Sequence, residues 1–238
     1  MDILRIILKI FLGLVVGLCL FVGYCYIATT MNLPLPEMLR ITTEAVFGIE
    51  TDVTPQWEKP IIYLYPEKEE EIEVEVKGVD FTTTYPLYED GWSVTAYPDG
   101  TLIDKNGHKY NYLYWEGKTE NNIDLSKGFV VSKNNYIDFL EEKLFKIGLS
   151  DKESCDFITY WLPQMNKFDY CLVSFQMENY EELVDLVFNI EPDNELRVSV
   201  VFKGLDKPIE IVEQDLSYYN SFNRKGFTVV EWGGTFIN

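Results

Sequence analysis

Hydrophobic residues recur along this chain in three rhythms. The first is an unbroken uncharged run from Ile10 to Ala28, just behind Arg5 and Lys9. At ~1.5 Å of rise per helical residue, such a run matches the ~30 Å hydrocarbon core of a bilayer. The second is strict alternation, clearest in Glu71-Ile72-Glu73-Val74-Glu75-Val76-Lys77. It places Ile72, Val74 and Val76 on one face of a strand and the charges in water. The third is a helical period carried by Ile137, Leu140, Leu144 and Ile147, with Asn134 or Asn135 as cap and Gly148 as the stop.

These rhythms divide the chain. Residues 1–9 read as a cytoplasmic leader, 10–28 as a transmembrane helix, 29–58 as a linker able to hold a short helix, and 59–238 as the folded body. A cleaved signal peptide fits less well, because its apolar region is shorter and ends in small residues. Here the run exits through Tyr24-Cys25-Tyr26-Ile27. Bulky Tyr24 also argues against a lipoprotein signal at Cys25. Arg5 and Lys9 lie before the span, and Arg40 is the first basic residue after it. The positive-inside bias therefore puts the N-terminus in the cytoplasm and the body outside, at the cell membrane. Gly13 and Gly17 form one G-x-x-x-G, which permits a homodimer through the membrane helix.

In the body, Ile61-Ile62-Tyr63-Leu64-Tyr65 reads as a strand buried on both faces. Alternating segments at 71–77 and 92–97 follow. Leu102-Ile103, the Lys105-Asn106-Gly107 turn and a strand at 109–115 predict a hairpin. Ser150-Asp151-Lys152-Glu153 is a capping box opening a second helix through Cys155, Ile158, Trp161 and Leu162, with Pro163 as its expected end. Strand texture returns at 170–175, 184–190, 196–202, 209–212 and 227–232, with Pro192-Asp193-Asn194 expected to join two of these as a hairpin. Strands, a central helix pair and further strands imply an α+β fold with a largely antiparallel sheet.

Charge narrows the function. The chain of 238 residues carries 20 Lys and Arg against 39 Asp and Glu, a net charge of -19. Such a field repels a polyanion, so nucleic acid is excluded as a partner. Aromatic residues make up 15%, a folded rather than a disordered composition. The body's two cysteines, Cys155 and Cys171, give no disulfide framework, although they could pair in an oxidising compartment.

Candidate chemistry is sparse. His108 is the single histidine and sits beside the Asn106-Gly107 turn. With no G-x-S-x-G elbow, a nucleophilic triad lacks its parts. Zinc sites draw on several His and Cys residues, so no metal and no cofactor is expected. Two carboxylates beside tryptophans stand out: Glu116 follows Trp115, and Glu231 precedes Trp232-Gly233-Gly234. Alternation puts Glu231 on a face with Phe227 and Val229. An acid held away from water opposite an ionised carboxylate is the arrangement of glycoside hydrolysis. The plainer reading pairs Glu231 with Arg224 or Arg197. Lys59, ahead of Pro60 at the mouth of the first strand, could likewise pair with a carboxylate.

Lys59-Pro60-Ile61-Ile62-Tyr63-Leu64-Tyr65-Pro66 resembles the opening of an uncharacterised family of bacterial membrane-anchored extracytoplasmic domains. Tyr85-Pro86, Gly91-Trp92, Pro98-Asp99-Gly100, the segment from Tyr112 to Gly117, Tyr160-Trp161-Leu162-Pro163 and Glu231-Trp232-Gly233-Gly234 extend the resemblance over most of the body. It implies one module and no established activity. The expectation is a binding or interaction module at the cell envelope, with a glycan or a protein as ligand and with Trp115, Trp232, Arg224 and Lys59 as contacts. The alternatives are an envelope glycan hydrolase with Glu116 and Glu231 as its acid/base pair, and a structural component of an envelope assembly.

Overall fold

The computed structural model describes residues 56–120 and 123–237. The leader, the apolar run from Ile10 to Ala28 and nearly all of the linker lie outside the described residues. No helix among those described is long and apolar enough to cross a membrane. The body is α+β with mostly antiparallel sheets.

The first strand, β1 (Gln56–Tyr65), already begins ahead of Lys59. It lies in a large sheet with β3 (Asp80–Tyr85), β7 (Leu113–Lys118), β8 (Phe129–Ser132), β9 (Tyr170–Phe175), β11 (Asn194–Leu205) and β12 (Thr228–Ile237). Their order is β3-β7-β1-β12-β11-β9-β8. A smaller sheet, β10-β2-β4-β5-β6, is built from β2 (Glu70–Lys77), β4 (Trp92–Ala96), β5 (Leu102–Ile103), β6 (Lys109–Tyr110) and β10 (Asp185–Phe188). The described residues also form three α-helices, α1 (Tyr136–Ile147), α2 (Asp151–Met165) and α3 (Met177–Leu183).

Alternation along β1 explains the layering. Ile61 and Tyr63 join a core with Leu140, Leu144, Phe157 and Trp161 of α1 and α2. Ile62 and Leu64 point the other way, into a core shared with Ile72, Val74, Trp92 and Val94 of the small sheet. The central strands of the large sheet are therefore buried on both faces, which is why β1, β11 and β12 read as apolar runs, whereas edge strand β3 is largely exposed. The small sheet is covered on one face only, so β2 alternates cleanly in burial.

Several expectations are corrected by this layering. The segment at 109–115 is two strands: β6 closes the small-sheet hairpin with β5, and after Asn111 and Tyr112 the chain crosses to the large sheet as β7. Strands β10 and β11 are not a hairpin, because β10 pairs with β2 while β11 lies between β9 and β12. Asp193 instead accepts the Phe227 N–H at 2.7 Å. The β11–β12 pair is parallel, since the intervening segment carries the chain back to the starting end of the sheet. Of the strand expected at 209–212, only a single bridge from Val212 to Lys127 forms.

The helix pair also differs in detail. Ser150 and Glu153 do form the reciprocal capping box of α2, but this helix runs on through Pro163 to Met165. Pro163 removes one rung of the ladder, the bond to the Thr159 carbonyl, and the continued turn offsets that loss by bringing Met165 into the core. The buried face of α2 is Glu153, Phe157, Trp161 and Met165, one step out of phase with Cys155, Ile158 and Leu162. Cys155 is exposed, Cys171 is buried, and both are free thiols. In α1 the buried first-turn residue is Tyr136, whereas Ile137 faces water.

Candidate functional site

Period-two tyrosines assemble the principal site. Tyr63 and Tyr65 on β1, Tyr112 just ahead of β7 and Tyr114 within it all lie on the helix-side face, where Tyr160 of α2 meets them. Tyr63 and Tyr65 stack at 6.1 Å between centroids, and Tyr63 meets Tyr112 edge-on at 5.6 Å. Each part of this row has a cation over it. Lys59 Nζ is 5.0 Å from the Tyr114 ring centre, 5.1 Å from Tyr112 and 5.9 Å from Tyr160. Lys152 lies 5.6 Å over Tyr63, and the Arg224 guanidinium lies 5.8 Å from Tyr65.

Carboxylates complete the row. Tyr63 donates to Asp156 at 2.8 Å, and Tyr160 donates to Glu58 at 3.3 Å. Burial first, and then the neighbouring carboxylate, pushes the Tyr63, Tyr65 and Tyr114 phenols well above their ordinary range. Burial and the charges of Glu58 and Glu116 do the same to Tyr160. These phenols are therefore neutral at physiological pH. Tyr63 is fully buried and supports the row from beneath, whereas the half-buried rings of Tyr65, Tyr112, Tyr114 and Tyr160 keep part of a face for a cation or a sugar ring. Beyond Tyr65 the row opens into a groove of about 430 Å³ lined by Pro66, Pro98, Arg224, Lys225 and Thr228. That volume falls within the range of small-molecule sites.

Lys59 occupies a strained position. Its φ is 57°, the one positive value among the described non-glycine residues. The register of β1 slips against both neighbours between Trp57 and Ile61, so Lys59 sits on a bulge. Its N–H donates to Glu116 Oε1 at 3.3 Å, and its Nζ donates to the Tyr112 hydroxyl at 3.4 Å. A left-handed conformation at such a residue costs ~1–2 kcal/mol. Bulges characteristically re-aim a side chain, and here the bulge aims the ammonium into the tyrosines.

The expected carboxylate pair does not assemble. Glu116 lies on the helix-side face of β7, beside Tyr114, while Glu231 points to the opposite face of the large sheet, between the two sheets. Glu231 is fully buried. Its Oε2 takes the Arg197 Nε–H at 2.8 Å and its Oε1 takes the Trp115 indole N–H at 3.1 Å. Parallel register places Arg197 directly opposite Glu231, and Arg197 donates onward to the Val184 carbonyl at 2.6 Å. Burial opposes the Arg197 charge, but Glu231, Tyr180 and Glu195 together hold the guanidinium ionised. This is an architectural ion pair under α3, with no route for a substrate.

The other expected contacts have structural partners as well. Trp115 is buried on Glu231, and Trp232 is buried against Phe157 at 5.2 Å. Neither exposes a face to a ligand. Arg224 grips Glu153 with two nitrogens, at 3.1 and 2.5 Å, and donates to the Gly148 carbonyl at 2.8 Å, tying the entry of α2 to the end of α1. Only its outer edge reaches the groove. His108 bonds Asp104 at 3.1 Å in an exposed turn. Among the described residues there is no group of three or more His, Cys, Asp or Glu placed to hold a metal.

Of the expected site residues, then, Lys59 and Glu116 come together, and Arg224 joins the far end of the same row. Glu58, Asp156 and Lys152 escape sequence reasoning because only folding brings them to the tyrosines. The i, i+2 spacing of Tyr63 with Tyr65 and of Tyr112 with Tyr114 is the signal that was there to find. In comparisons with known proteins, no family model matches the chain, and no match is found among curated proteins or solved structures.

Proposed function

We propose that this chain is a single-pass, membrane-tethered extracytoplasmic module that binds an envelope ligand along its tyrosine face. The membrane placement rests on the Ile10 to Ala28 run and the charges flanking it. The observation carrying the binding reading is the set of half-buried rings Tyr160, Tyr112, Tyr114 and Tyr65, seated on buried Tyr63, flanked by Lys59, Lys152 and Arg224 and continuing into an open groove. Aromatic faces interleaved with donors and acceptors suit an extended polar ligand such as a glycan strand. The resemblance of the Lys59 to Pro66 segment to the opening of an extracytoplasmic family is in keeping with the same reading. A hydrolase is disfavoured because Glu116 and Glu231 face opposite sides of one sheet.

The test is retention of the full chain, in maltoside micelles, on purified envelope fractions: peptidoglycan sacculi, envelope polysaccharide and membrane-protein extract. Truncating an aromatic anchor typically costs more than ~1 kcal/mol, so Tyr112→Ala with Tyr114→Ala should weaken retention about tenfold or more. No retention on any fraction, or equal retention by the double variant, would overturn the reading in favour of a purely structural component.

A further inference from the structure

We propose that Tyr112, Tyr114, Tyr160, Glu58 and Glu116 form a binding site for an organic ammonium group, and that the Lys59 ammonium is a resident occupant which such a ligand displaces. The inference rests on the reading of this face as a ligand-contact surface and names the chemistry recognised at one end of it.

Three rings lie within 6 Å of one cation, at 5.0, 5.1 and 5.9 Å, which is the cage geometry used to recognise alkylated ammonium groups. Two carboxylates border the cage: Glu58 accepts from the Tyr160 hydroxyl, and Glu116 accepts from the backbone N–H of Lys59 itself. Lys59 is a poorly matched occupant. Among the described residues its ammonium makes one long hydrogen bond, 3.4 Å to Tyr112, and its backbone is held at φ 57° to deliver it. A primary ammonium is strongly hydrated, whereas a methylated one sheds water readily and gains more from ring faces. The net charge of -19 favours approach of a cation over that of an anion.

Lys59→Gly empties the cage and relieves its backbone, because glycine adopts positive φ without strain. Lys59→Asn, which also tolerates that region, serves as a second emptied form, and near-ultraviolet circular dichroism checks that each is folded. The probe is tetramethylammonium chloride, titrated against sodium chloride at constant ionic strength and followed by the ring resonances of specifically labelled tyrosines. The protein is the full chain in maltoside micelles. Both emptied forms should bind at least tenfold more tightly than the wild type, with shifts at Tyr112, Tyr114 and Tyr160, and Tyr114→Ala added to Lys59→Gly should abolish them. Emptied forms that bind no tighter than the wild type, shifts reproduced by sodium, or binding indifferent to Tyr114→Ala would each overturn the proposal. Retention on envelope fractions that persists in any of these cases leaves the broader reading standing, so the two fail separately.

Discussion

Arg197→Met probes the buried ion pair between the two sheets. Glu231 is fully buried and Arg197 is 6% exposed, with Nε and Oε2 at 2.8 Å. Removing the guanidinium strands a carboxylate with one remaining donor, the Trp115 indole, and strips the Val184 carbonyl of its partner. Breaking such a pair from one side costs ~3–5 kcal/mol. With a urea dependence of ~2 kcal/mol per molar for a domain of this size, the midpoint should fall by ~2 M. The assay is urea unfolding of the Val53–Asn238 unit, followed by tryptophan fluorescence. Arg197→Met combined with Glu231→Leu removes both charges of the pair and leaves only neutral groups unpaired, the Trp115 N–H and the Val184 carbonyl, each at the lower end of ~1–3 kcal/mol. It should therefore recover about half of the lost stability. A drop under ~0.5 M for the single variant, or a double variant no more stable than the single, would refute the assignment of this pair as architectural.

Glu195, 3.5 Å from Arg197, gives the pH dependence. Burial, together with Glu231, Glu181 and Asp185, outweighs Arg197 and raises it from 4.5 to about 7. Between those values the folded protein keeps a proton that the unfolded chain has released, so stability falls as pH rises through that window. With 32% of its side chain in water, screening leaves ~1 kcal/mol. Thermal unfolding at pH 5 and 7.5 should show this loss, and Glu195→Gln should flatten it. Arg224→Ala removes the clamp on buried Glu153 and should cost ~2 kcal/mol, less than a sealed pair because the guanidinium is 32% exposed. Arg224→Lys should restore only part of that in urea unfolding, since an ammonium cannot grip both carboxylate oxygens.

Much of the fold was written locally. The Ser150 to Glu153 capping box and the stop at Gly148, whose φ of 112° suits glycine, depend on neighbours in the chain and could be read from it. So could the alternation of β2, because one of its faces meets water. The doubly buried strands were legible as strands but not as partners: a continuous apolar run says nothing about which face meets helices and which meets a second sheet. Hence 109–115 looked like one strand although it divides between two sheets, and 192–194 looked like a hairpin turn although the strands on either side belong to different layers.

The candidate site divides in the same way. By itself the sequence determined that the body is α+β and acidic, that a long apolar run precedes it, and that pairs of tyrosines at i, i+2 share a strand face. Only the tertiary structure decided that Glu116 and Glu231 lie on opposite faces of one sheet, that Arg197 rather than Arg224 neutralises Glu231, and that Lys59 turns into a cage with a wall from α2. Periodicity is set by neighbours along the backbone, whereas partnership between charges depends on strand order and on a one-residue bulge. A shift of one position exchanges the two faces of a strand, and with them every side chain a carboxylate or a lysine can reach.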